Sequence, residues 1–161
     1  EPNLIREVSG DDPTVVTILK IVEAATRRAL RGRVIDRPML ESWDALLDYC
    51  RAAMQHHQTE QFRIIFVNHK HILITDEVLQ TGTVDHTAIY PREVVHRALD
   101  LGASGIIMVH NHPSGDPTPS NADMEITNQV VEAGRALGIT VHDHLVIAKN
   151  GYNSFKSLGL L

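Results

Sequence analysis

At 161 residues, 43% of them hydrophobic and 22% charged, the chain suits one globular domain with at most a short appendage. A formal charge of −5 provides no overall positive field of the kind that holds nucleic acid or an anionic membrane, so any basic contact would have to be local. Cys50 is the single cysteine, which excludes a disulfide framework and a cysteine-built zinc site and fits a reducing, cytoplasmic setting.

The chain starts at Glu1 rather than Met and carries no apolar run as long as a signal core or membrane span, so it is expected to be a piece of a longer protein. Asp12 and Pro13 read as the cap and first residue of a helix running to Leu30, with Val15, Val16, Ile18, Leu19, Ile21, Val22 and Ala25 at helical spacing. Arg27, Arg28, Arg31, Arg33 and Arg37 form a basic run there, expected to be a solvated helix end rather than a nucleic-acid patch. Gly32 to Met39 has Gly, Pro and no period and reads as a linker, dividing a remnant at 1–38 from a domain at 39–161.

Ser42 opens a second helix carrying Trp43, Leu46, Leu47, Tyr49, Cys50 and Met54 and ending near His57. Phe62 to Val67 and Ile72 to Leu79 read as strands of a hairpin, turning at Asn68 to Lys70. Pro91 begins a helix to Leu101, Gly102 caps it, and Gly105 to Val109 forms a short apolar strand that runs into His110. A helix follows Ser120 and closes at Gly138, and Ile139 to Ala148 is the last expected strand. This order gives an α/β sandwich with a mixed sheet, neither doubly wound nor a barrel.

The chemistry gathers between His110 and Asp123. Residues two apart on a strand point to one face, so His110 and His112 at a strand end can aim both imidazoles at one ion. The Pro- and Gly-rich loop from Pro113 to Pro119 then delivers Asp123 from a helix start as a carboxylate ligand. Three protein ligands leave a coordination position for water, the mark of a working rather than a structural zinc site. The same donors also resemble the facial triad that binds iron. Ser120 reads either as an oxyanion donor or as the N-cap of the helix, and one residue could serve both roles. Ser114 and Asp116 read as turn formers.

Near the C-terminus, alternation puts His142 and His144 on one face and Asp143 on the other, and without a third ligand His144 reads as a core or edge histidine, with support of a metal ligand as the alternative. His56, His57, His69, His71, His86 and His96 read as surface residues.

His-x-His-Pro followed by Ser-x-x-Asp resembles the metal motif of the JAB1/MPN (JAMM) metalloprotease superfamily. Tyr90-Pro-Arg-Glu-Val-Val, His110-Asn-His-Pro-Ser-Gly-Asp-Pro and His142-Asp-His-Leu-Val-Ile are similar to the RadC family, historically called DNA repair proteins, from about Leu40 to the C-terminus. The resemblance implies a cytidine deaminase-like α-β-α core, a bound Zn2+, and a general base near the start of the first core strand. Glu60, directly before that strand, takes this role in preference to Glu77, which lies within the second strand. The family usually carries a helix-hairpin-helix segment before this domain; none is found here, so DNA is an expected partner only through a region outside this chain.

The expected function is thus hydrolysis of an amide or isopeptide bond in a protein or peptide: zinc polarises the carbonyl, Glu60 moves the proton and Ser120 steadies the oxyanion. A repair-associated binding module with a non-catalytic zinc site is the alternative. A nuclease ranks last, because such sites more often use two metals or hard oxygen ligands.

Overall fold

A computed structural model describes residues 12–35, 38, 42–82 and 89–161. Its helices are α1 (Pro13–Gly32), α2 (Trp43–Met54), α3 (Pro91–Asp100) and α4 (Asn121–Arg135). The strands are β1 (Gln61–Val67), β2 (Leu73–Thr81), β3 (Gly105–His112), β4 (Thr140–Ala148) and β5 (Gly151–Ser154). The expected linker beyond Ile35, the boundary near Arg37, and the loop holding His86 lie largely or wholly outside the described residues.

The sheet runs β2-β1-β3-β4-β5, with β3 and β4 parallel and every other pair antiparallel. Alternation along the central strands divides the apolar residues between two layers. Ile65, Val67, Ile107, Val109, Leu145 and Ile147 pack under α2, with Leu46, Cys50 and Met54 on its inner face. Phe62, Ile64, Phe66, Ile106 and Met108 pack on the other side with Val94, Val95 and Ala98 of α3 and Val130 of α4. The result is the expected α/β sandwich on a mixed sheet.

The hairpin, the Pro91 helix and the helix after Ser120 form where their sequence signals place them. Strand β5 was not expected: it is four residues long and turns back on β4 across Lys149 and Asn150. The second helix ends at Met54 rather than His57, and the Ser42 hydroxyl turns to the Pro38 carbonyl instead of capping it.

Helix α1 has the expected Asp12 cap and Pro13 start, yet it buries none of its residues: Val15, Ile18, Ile21 and Val22 are exposed. Among the described residues its C-terminal end engages, through Leu30 against the α2 layer and an Arg31–Asp76 ion pair at 3.1 Å. Arg27 pairs with Glu23 and Arg33 with Asp48, so much of the basic run is spent on local acids.

Candidate metal centre

Strand β3 ends in His110, Asn111 and His112, and its register against β1 and β4 fixes where each points. His110 and His112 face the α3/α4 side, where Asp123 arrives in the first turn of α4. The Nε2 atoms of the two histidines stand 2.9 Å apart; Asp123 Oδ1 is 3.2 Å from His110 Nε2, and Oδ2 is 3.4 Å from His112 Nε2. These three residues form a group that could hold a metal ion. Donors at tetrahedral zinc distances of about 2.0–2.1 Å stand about 3.3 Å from one another; each of these contacts is near that spacing, the two from Asp123 being made by different oxygens of its carboxylate.

Hydrogen bonding behind the ligands bears on whether a cation fits. His112 Nδ1 lies 2.9 Å from the Asp116 carbonyl oxygen, which can only accept, so Nδ1 carries a proton and Nε2 is left as the donor toward an ion. Asp116 is a turn residue, as expected, holding the Thr118 N–H and hydroxyl on its carboxylate at 2.9 and 2.7 Å. Behind His110, Nδ1 meets His144 Nε2 at 2.8 Å. Two imidazole nitrogens and a carboxylate thus converge in a pocket where His110 is fully buried, and a single cation would satisfy all three at once.

Burial alone would raise the Asp123 carboxyl pKa, but the adjacent His110 and His112 rings and the hydrogen bond from Ser120 outweigh it and hold the group well below the usual carboxylate range. His112 is raised above its ordinary value chiefly by the Asp123 carboxylate beside it, opposed by burial and helped by the Asp116 carbonyl and the charge of Glu60. Glu60 therefore lies close enough to His112 for its charge to be felt. Phe62 pairs with His110 at the end of the antiparallel ladder, and Glu60 stands two residues beyond that pair on one strand as His112 does on the other.

Glu77, the competing glutamate, receives Nε and Nη2 of Arg97 at 2.7 and 2.6 Å, and that pairing lowers its pKa. Ser120 is the N-cap of α4 in a reciprocal capping box: its hydroxyl accepts from Asp123 N–H at 3.1 Å and donates to Asp123 Oδ2 at 2.7 Å, while its own N–H donates to Oδ2 at 2.7 Å. One residue both starts the helix and aims the ligand carboxylate.

Two residues escaped the sequence reading. Asn111, between the ligands and facing the opposite side, is 1% exposed and ties the segment before β1 to β3. Its Oδ1 accepts from Gln61 N–H at 2.9 Å and its Nδ2 donates to the Thr59 carbonyl at 3.1 Å, flanking Glu60 on both sides. Thr127 of α4 donates its hydroxyl to the Asp123 carbonyl at 2.5 Å and meets His144 Nδ1 at 2.6 Å. Thr127 lies one helical turn after Asp123, a spacing that could have flagged it.

The expectation for the His142–Asp143–His144 segment needs correction. A register shift opposite Ile106/Ile107 makes His142 the unpaired residue of β4, so the two histidines do not share a face. His142 meets His71 edge-on with ring centroids 4.8 Å apart, whereas fully buried His144 touches His110. His57 and His71 are half-buried rather than surface residues, and His71 adopts a positive φ of 57°.

Comparison with known proteins agrees with this geometry. A family model described as a RadC-like JAB domain matches residues 40–160. A UPF0758 protein of Rhodobacter capsulatus is 58% identical over 99% of this chain and 75% of its own length. A UPF0758 protein of Ruegeria pomeroyi is 52% identical over 98% of this chain and 70% of its own length.

Proposed function

The chain belongs to the RadC-like JAB domain family, and from that premise we propose that it is a zinc-dependent hydrolase of amide or isopeptide bonds in protein or peptide substrates. The observation that carries the reading is the convergence of His110, His112 and Asp123, among the described residues a group of three rather than a closed set of four, with one ligand atom from each lying within 4.8 Å of the others. When bound, zinc supplies Lewis acidity, the property that polarises a carbonyl and makes water a nucleophile near neutral pH. The cytoplasm is the proposed setting, and no described helix is long and apolar enough to cross a membrane.

In this reading Glu60 is the general base: its carboxylate takes a proton from the attacking water and returns it to the leaving amine. Its closeness to His112 supports this role, as does the commitment of Glu77 to Arg97. Ser120 donates its hydroxyl to the oxyanion of the tetrahedral intermediate. The Ser120 N–H, 2.7 Å from Asp123 Oδ2, keeps the ligand carboxylate aimed while the hydroxyl turns to the substrate.

Elemental analysis of the purified protein, followed by a panel of peptide and isopeptide substrates, tests the proposal. About one zinc per chain is expected, with turnover that Glu60→Gln abolishes while zinc is retained. A protein that neither holds nor takes up zinc would sink the hydrolase reading.

A further inference from the structure

The contacts behind His110 have a definite proton order. The Thr127 hydroxyl has one proton, and its 2.5 Å partner, the Asp123 carbonyl, can only accept. Thr127 Oγ1 must then accept from His144 Nδ1, 2.6 Å away, so that nitrogen carries a proton. The His144 ring is 0% exposed and lies against Phe155 at 4.6 Å and Phe62 at 5.3 Å between centroids, an apolar seat that suits a neutral imidazole. A neutral ring protonated at Nδ1 presents a bare Nε2, which at 2.8 Å accepts from His110 Nδ1–H. His110 then turns its Nε2 lone pair toward Asp123 and His112.

We propose that Thr127 and His144 are positioning residues that fix the tautomer and ring orientation of His110, so that the helix bearing Asp123 and the strand bearing the histidines are set for the metal by one hydrogen-bonded chain. The chain starts at the backbone of one ligand, Asp123, and ends at the ring of another, His110. His112 obtains the same orientation more simply, from the Asp116 carbonyl.

The unexpected C-terminal hairpin contributes the seat for His144. Buried Asp143 accepts from the His144 N–H at 2.7 Å, the Ser154 hydroxyl at 2.6 Å and the Lys156 N–H at 3.0 Å. The Phe155 N–H donates to the His144 carbonyl at 2.9 Å, which lays the Phe155 ring on the imidazole.

The consequence for zinc rests on the hydrolase reading, whereas the proton order does not, and the experiment separates them. Long-range 1H–15N correlation on metal-free protein reads the imidazole tautomers directly, beside a chelator competition for zinc. Wild type is expected to carry protons on Nδ1 of both His144 and His110. In Thr127→Val, similar in shape but with no acceptor, His144 should move its proton to Nε2 and reverse the His110 bond.

Zinc binding should weaken about 10- to 100-fold in Thr127→Val and in His144→Leu, while His144→Gln, whose amide oxygen can accept in place of Nε2, stays close to wild type. Cooperative unfolding of each variant confirms the fold. A His144 proton on Nε2 in wild type, or unchanged tautomers and zinc affinity in folded Thr127→Val, would overturn the proposal. A wild type with the stated tautomers that takes up no zinc would support the proton order and refute the hydrolase reading alone.

Discussion

Replacing Asn111 with Ala separates the two jobs that strand β3 performs at the site. The ligand histidines on either side are held by ladders to β1 and β4, so the metal triangle should survive. What is lost is the tie on the segment carrying Glu60: the 2.9 Å bond from Gln61 N–H and the 3.1 Å bond to the Thr59 carbonyl. With net values of about 0.5–1.5 kcal/mol per bond, Gln61 half-buried and Thr59 exposed, the loss is about 2 kcal/mol. For a chain of this size that corresponds to roughly 5–10 °C in Tm. Hydrogen exchange should quicken at residues 57–61 with little change elsewhere in β3. If Glu60 moves the proton, kcat should fall by about 100-fold, the effect of misplacing a catalytic group by an ångström, while zinc stoichiometry stays at the wild-type value. Unchanged exchange at residues 57–61, or loss of zinc without loss of the fold, would refute the assignment of Asn111 as the tether of Glu60.

Adding zinc to about 1,000 times its Kd should stabilise wild type by about 4 kcal/mol, read as a rise in Tm. His112→Ala and Asp123→Ala should show no such rise, and a retained rise in both would remove those residues from the ligand set. Glu77→Gln should cost little stability, because the Arg97 pair is only half-buried and still reached by solvent, and should leave turnover intact; loss of turnover there would move the proton-transfer role away from Glu60. Urea unfolding of the metal-free protein at descending pH tests buried His144, whose pKa is pushed well below 6.5 by burial first and the His110 charge second. Below pH 6.5 the unfolded chain takes up a proton there that the folded one refuses, so stability is lost as pH falls, by about 1.4 kcal/mol per pH unit for this one group. His112, shifted the other way, opposes that slope, so the measure is the difference from His144→Gln, and equal slopes in the two proteins would count against a neutral buried His144.

Local spacing carried the candidate ligand set. The two-residue repeat of a strand aligns His110 with His112, and the three-residue reach of a capping box links Ser120 to Asp123; both follow from backbone geometry within a few residues. The same kind of information placed the helix starts at Pro13 and Pro91 and the hairpin at Asn68.

What supports those ligands depended on contacts between distant segments. His144 meets His110 across 34 positions, Asn111 reaches Thr59 across 52, and Glu77 is taken by Arg97 across 20. Each pairing is set by strand register or helix docking. The extra residue in β4 shows why local periodicity could not find them: one unpaired position sends His142 to the His71 side and leaves His144 beside the metal centre, reversing what strict alternation implies. Likewise the apolar spacing of α1 announced a helix but not its burial, because only the packed structure decides whether a surface faces an apolar face. The sequence by itself determined the candidate donors and their local aim, since those depend on covalent spacing; the tertiary structure decided what surrounds and supports them, since that depends on which distant polar groups the fold brings within hydrogen-bond reach.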